Sequence, residues 1–251
     1  MSWQLYDWLI ERASHAERVR RMLIGLQWSV AELSSSELGL CFSPRDVPRT
    51  LSWPGTLAGR DARELHGWLR SFDPTEACVG LATLNASLNG RGNPCLQRSQ
   101  PVNADAAPHL RVFAHFAPKL RGAKVVVVGR YPGLSVLWQD LDYVCLERSP
   151  APDTLGDPAA EYLLPEADWV FLTASAIANK TLPRLLELSR SARVVLMGPS
   201  LPWLADWADF GVDYLAGVRV RAADALWQTA AEGGGTRIFD TAVEYRVLRV
   251  S

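Results

Sequence analysis

The sequence predicts an α/β protein: a C-terminal parallel sheet with helices on both faces, preceded by a smaller α+β part. Three observations predict it. Beyond residue 123 the apolar runs KVVVVG, YVCL, WVFL and RVVLM recur with helix-like segments between them. Continuous β-branched runs read as strands buried on both faces, and strands alternating with helices imply a parallel sheet. Residues 90–108 (GRGNPCLQRSQPVNADAAP) are rich in Gly, Pro and Asn, the chemistry of a loop between units. The expected division is therefore residues 1–106 and residues 107–251. Finally, 48% of the 251 residues are apolar and 21% charged, enough to fill a core in each part.

The elements follow in order. Residues 2–23 place Trp3, Leu5, Trp8, Leu9, Ala16, Val19 and Leu23 at roughly helical spacing, so a leading helix is expected across them. Residues 25–33 alternate in part, and residues 38–42 follow a Ser-rich turn, which is the pattern of a hairpin. Asp61 is a cap candidate for a helix over residues 61–72, with Leu65, Trp68, Leu69 and Phe72 at helical spacing. Pro74 opens a second, apolar helix that reaches Leu88. The second part carries strands at 124–129, 143–146, 169–172 and 193–197, with helix candidates at 159–164, 181–189 and 204–210. A strand at 216–220, a helix at 222–231 and an extended tail at 242–250 complete it.

Composition narrows the function. Net charge is -1, from 26 basic and 27 acidic residues, so the basic footprint of a nucleic-acid binder is missing. The first residues carry acidic side chains and no apolar run, so a signal peptide is not expected there, and no apolar run approaches the roughly 20 residues of a membrane span. The 4 cysteines are far apart without a C-x-x-C pair, so reduced thiols in a cytoplasmic protein are expected rather than a disulfide framework or zinc site. His15, His66, His109 and His115 show no metal-binding spacing, and no G-x-S-x-G is present.

In an open parallel sheet, ligands sit beyond the carboxyl ends of the strands, so the turns there are the informative residues. Gly129 to Gly133 follow the first strand, and Glu147 follows the second at nearly the spacing of an acid that meets a ribose hydroxyl. The run G-x-x-x-G is not the dinucleotide fingerprint, however, and a plain turn with a solvated acidic edge explains it equally. Thr173, Ser175 and Asn179 offer donors for an oxyanion and Thr181 a helix cap, though ordinary capping accounts for the same residues. Gly198, Pro199 and Ser200 share that duality. In the first part Asn85 and Asn89 lie on one helix face and need hydrogen-bond partners, which capping before Gly90 supplies for Asn89 alone.

The segments VGLATLNASLN (residues 79–89), VVVVGRYP (125–132), LLPEADWVFLTASAIANKTLPRLLEL (163–188) and VVLMGPSLPW (194–203) resemble the DUF4213/DUF364 family. The resemblance implies an N-terminal domain like the small capping domain of enolase, joined to a Rossmann-like domain, in a group associated with heavy-metal chelation. It implies a cleft between the two, with Asn85 and Asn89 on one side and Gly129, Glu147, Thr173, Asn179, Thr181, Gly198, Pro199 and Ser200 on the other. Two places depart from the family pattern: Ala174, Ser175 and Ala176 replace a more Gly- and Thr-rich loop, and Arg130 and Tyr131 stand where a smaller or His-containing pair is usual.

The expected function is a small-ligand-binding protein, catalytic or not, that takes a metal chelate or small anionic metabolite in that cleft. A metal ion or metal chelate is the candidate cofactor. The donors Glu147, Asn85 and Asn179 form a hard set unsuited to tight zinc binding, so a metal is expected to arrive already complexed. The alternatives are a nucleotide- or S-adenosylmethionine-type binder, with Pro199 and Trp203 flanking a ring, and a non-catalytic scaffold. Expected partners are a small molecule or metal chelate, no nucleic acid and no membrane, with a homodimer as a candidate assembly.

Overall fold

Val125 and Val127 face one side of their strand, Val126 and Val128 the other, and all four are buried. Such a strand is stable only with a packed layer on each face. The computed structural model describes residues 2–13, 16–45, 47 and 50–251, so His15 lies outside it.

The chain opens with α1 (Ser2–Arg12), then β1 (Val19–Ile24), β2 (Trp28–Leu33) and β3 (Leu38–Phe42), which pair antiparallel in that order. The leading helix is thus shorter than its periodicity suggested: residues 19–24 are β1, held by its ladder to β2. Two helices follow, α2 (Ala62–His66), capped by Asp61, and α3 (Pro74–Leu88), whose N-cap Asp73 accepts from two backbone amides. Residues 90–108 are not a bare loop. Asn93 caps α4 (Pro94–Arg98), and β4 (Gln100–Pro101) adds to the large sheet's edge.

The rest of the chain gives α5 (Arg111–Phe116), β5 (Val125–Val128), α6 (Leu134–Leu137), β6 (Tyr143–Leu146), α7 (Ala160–Leu163), β7 (Trp169–Thr173) and α8 (Leu182–Leu188). Then come β8 (Arg193–Met197), β9 (Tyr214–Val220), α9 (Ala223–Ala231), α10 (Ile238–Thr241) and β10 (Val243–Arg249). Residues 205–210, expected as a helix, form only a 3₁₀ turn. The seven strands lie in the order β4-β10-β9-β8-β7-β5-β6, with β6, β5, β7, β8 and β9 parallel and β10 and β4 antiparallel. The fold is mixed α/β, as expected: a mostly parallel seven-stranded sheet flanked by helices, with a small antiparallel sheet beside it. Strand order reverses between β5 and β7, the switch point where a crevice opens at the carboxyl edge.

Two apolar cores result, one on each face of the large sheet. Val126, Val170 and Val194 join the first with α1 and α3, while Val127, Phe171 and Val195 join the second. The small sheet contributes to both, Leu33 to the first and Val30 to the second, so each core draws on both parts of the chain.

Candidate functional site

The carboxyl ends of β6, β5, β7, β8 and β9 form one edge, and the small sheet and α3 sit against its middle. Carboxamides make that junction. Asn85 on α3 is fully buried; its Nδ2 donates to the carbonyls of Leu40 on β3 (2.8 Å) and Ser200 after β8 (2.9 Å). Its Oδ1 has no partner among the described residues. Asn89 donates to the Leu201 carbonyl (2.8 Å) and accepts from the Trp203 amide (2.9 Å). Asn93 continues the row by donating to the Trp203 carbonyl at 2.7 Å. Ser200 answers from the other side: its buried Oγ accepts from the Phe42 amide at 2.9 Å. Spacing four apart marked Asn85 and Asn89 as a face, but it could not show that the face grips a loop rather than a ligand. Asn93 follows the same spacing and went unread because it lies past the helix end.

The other sequence-predicted residues fall into two further groups. Around the turn after β5, Gly129 adopts φ +109, and a side-chain carbon there would stand 3.2 Å from two carbons of Thr173, so glycine is required twice over. Thr173 shares a 2.9 Å hydrogen bond with Ser175 and a second with the Tyr131 hydroxyl, whose pKa burial pushes well up. Glu147 Oε2 accepts from the Arg130 amide at 2.9 Å, so the carboxylate already fills the place where backbone amides would meet an incoming anion. Cys145 beneath it donates to the Gly129 carbonyl, and burial followed by the Glu147 charge raises its pKa to about 11, leaving an unreactive thiol. The third group is local: Asn179 Oδ1 accepts from the Thr181 amide (3.1 Å) and hydroxyl (2.6 Å). Gly198, with φ +107, and the buried Pro199 shape the turn that delivers Ser200 to α3. Trp203, expected as a platform for a ring, is 1% exposed with its indole N–H given to Val218, so it has no open face.

Beyond β9, where the small sheet and α3 end, a cleft of about 530 Å³ remains. Glu37 in the β2–β3 turn, Asn89 and Arg91 at the end of α3, and Arg219, Arg221 and Glu244 across from them form its walls. Asn89 alone among the sequence-predicted residues lines it. Glu37 accepts from the Arg91 amide, and Glu244 pairs with Arg246 (3.1 Å) and Arg221 (3.6 Å). The guanidinium groups of Arg91 and Arg219 make no hydrogen bond or ion pair among the described residues, which leaves two uncommitted cations facing one cleft. These arginines went unread because they lie 128 positions apart, Arg91 to Arg219, and neither belongs to a motif. A smaller cavity of about 420 Å³ adjoins it beside β10 and shares Arg221 and Glu244.

Fold and cleft together define an α/β protein with a positively lined pocket at the carboxyl edge of its sheet. The comparisons then place it. A DUF364 family model, described as "Putative heavy-metal chelation", matches residues 111–249, and a DUF4213 model with the same description matches residues 6–88. The chain belongs to this family. A crystal structure of a DUF364 protein of unknown function from Desulfitobacterium hafniense is 30% identical, with a TM-score of 0.83 over 99% of this chain and 98% of that one. Another, from Pyrococcus horikoshii, shares the fold at 19% identity, with a TM-score of 0.76 over 98% of both chains. An uncharacterised Methanocaldococcus jannaschii protein is 28% identical over 165 residues, covering 61% of this chain. The match spans 58% of that curated relative's length.

The family description raises the question of a metal. Among the described residues, no group of three or more His, Cys, Asp or Glu side chains gathers where it could hold one ion. Of the donors expected from sequence, Glu147 and Asn179 have oxygens engaged within their own local groups, and Asn85 offers a single unpartnered oxygen, Oδ1. They do not fit a bare hard cation. No helix among the described residues is long and apolar enough to cross a membrane.

Proposed function

We propose that this protein binds a small polycarboxylate, free or carrying a metal ion, in the cleft between the small sheet and β9. The single observation that supports this reading is the pair of guanidinium groups, Arg91 and Arg219, that line this one cleft without a hydrogen bond or ion pair among the described residues. Arginine holds carboxylates through two parallel N–H donors, and a partly enclosed cleft strengthens each such contact. Asn89, clamped by Leu201 and Trp203, keeps the wall in place. A metal would enter as the ligand's passenger, its coordination filled by the chelator rather than by the protein. A nucleotide reading fits less well, because Glu147 would have to release Arg130 and Trp203 is closed to stacking. A cytoplasmic setting belongs to the proposal, since all four cysteines are free thiols.

The test is a thermal-shift and calorimetric titration with citrate, with EDTA and with the nickel complex of each. Ligand at about 100 times its dissociation constant adds roughly 2.7 kcal/mol, a rise of about 5–10 °C in a chain of this size. The rise should vanish in Arg219→Ala and in Arg91→Ala, both surface changes that leave the unliganded melting temperature in place. Binding that persists in both variants would remove the cleft from consideration.

A further inference from the structure

Arg111, the first residue of α5, has an Nε that is shut off from solvent and has no hydrogen-bond partner among the described residues. It lines the cavity of about 420 Å³ beside β10. Asp240 on α10 lines the same cavity, and its carboxylate makes no hydrogen bond or ion pair among the described residues, with Arg111 or with any other group. The remaining charges on the wall are engaged with each other: Arg221 pairs with Glu244 at 3.6 Å, and Glu244 also with Arg246 at 3.1 Å. The rest of the lining is largely apolar. Phe239 stacks on Tyr245 with ring centroids 4.7 Å apart, and Val102 and Val243 line the same space.

A guanidinium N–H taken out of water without an acceptor is destabilising, and folded proteins leave few such donors unpaired. A carboxylate is the acceptor whose two oxygens match the guanidinium fork. A carboxylate alone would leave Asp240 without a partner, and an amine alone would leave Arg111 so. The two uncommitted charges sum to zero and do not pair across the cavity, so a ligand carrying both signs a few bonds apart satisfies both. We propose that this cavity binds a free α-amino acid with an apolar side chain, its carboxylate on Arg111, its ammonium on Asp240 and its side chain against Phe239 and Tyr245.

The volume lies at the small end of the roughly 300–1,000 Å³ of small-molecule sites, as a ligand of this size requires. Arg111 is partly buried and Asp240 exposed, so the carboxylate end enters first and the ammonium stays at the mouth. Backbone pairing sets the walls: the Val102 amide donates to the Tyr245 carbonyl (3.0 Å), and the Arg221 amide to the Ala242 carbonyl (2.8 Å). A peptide carries its two terminal charges at opposite ends of the chain, so a free amino acid is the class that fits. Neither Arg91 nor Arg219 lines this cavity, which makes the site independent of the proposed polycarboxylate cleft.

The experiment titrates the full-length protein by calorimetry with L-leucine, L-phenylalanine and L-tryptophan, each beside its deaminated acid and its decarboxylated amine. At least one amino acid should bind, about tenfold or more tighter than its own acid and amine, since each lost charge contact removes a factor of that order. Arg111→Met should abolish binding, and Asp240→Asn should lower the amino acid to the level of its acid. Arg91→Ala and Arg219→Ala should bind it as the parent does, so failure here leaves the cleft reading standing and the reverse holds too. Should Arg111→Met fold poorly, Asp240→Asn, an exposed change, still decides. Binding by none of the three amino acids, an acid that binds as tightly as its amino acid, full affinity kept by either cavity variant, or loss in Arg219→Ala overturns the proposal.

Discussion

Asn85 spends both amide hydrogens on carbonyls from different parts of the chain, Leu40 and Ser200. Truncation to alanine would strand two buried acceptors, so Asn85→Ala should cost about 2–4 kcal/mol in urea unfolding. A loss under about 1 kcal/mol would show that water replaces the carboxamide. Lys180 makes a different prediction. Burial lowers its pKa from 10.5 to about 8, so the folded state gives up this proton before the unfolded state does. Between those values the unfolded chain binds more protons, and stability rises with pH. Cys41 and Tyr6, whose acidities burial weakens, act in the opposite sense over the alkaline range, so the effect is read as a difference. The parent-minus-Lys180→Met stability should climb between about pH 8 and pH 10.5 and stay flat below. Sequence made Asn85 conspicuous because a carboxamide in an apolar helix demands partners. Lys180 stayed invisible, as did the meeting of Cys41 and Cys78 at the Phe42 carbonyl, which exists only when α3 folds onto β3.

At the scale of elements, the meeting of α3 and β3 is the closest in the molecule that a single glycine decides. A side-chain carbon on Gly39 would lie 2.1 Å from the Ala86 nitrogen and 2.2 Å from the Ala82 oxygen. Backbone cannot yield as a flexible side chain can, so Gly39→Ala must lift the helix, with a loss of more than about 3 kcal/mol. Gly92→Ala, which meets nothing within 4 Å, is the control and should stay within about 0.5 kcal/mol. The four apolar runs of the parallel sheet were legible because a strand covered on both faces has no freedom to be polar. β1 was not, because Val19 and Leu23 in VRRMLI fit a helical spacing as well as a ladder, and only pairing with β2 decides between them. The short β4 was hidden for the same reason, since two residues become a strand only when β10 is beside them.

For the whole molecule, two cores that each draw on both sheets leave no part with a hydrophobic interior of its own. Tryptophan fluorescence, with Trp138 in one core and Trp203 in the other, and far-ultraviolet dichroism should therefore trace one coincident urea transition. Two separated midpoints would mean that the junction melts first. The cleft could not be read from sequence, because its arginines come from α3's end and from β9, and only the assembled edge brings them together.

The row of carboxamides from Asn85 to Asn93 also has a kinetic consequence. Many proteins that bind between two lobes capture ligand by a hinge, and the hinge sets the rate. Here the loop at 200–203 is tied to α3 and the residues that follow it through four direct hydrogen bonds and, through Ser200, to β3, so the lobes have no pivot. Ligand must enter an open, preformed mouth, and the exposed side chains of Arg91 and Arg219 are the parts free to move. Stopped-flow association should be a single phase, linear in ligand concentration, slowing as salt screens the arginines rather than reaching a plateau.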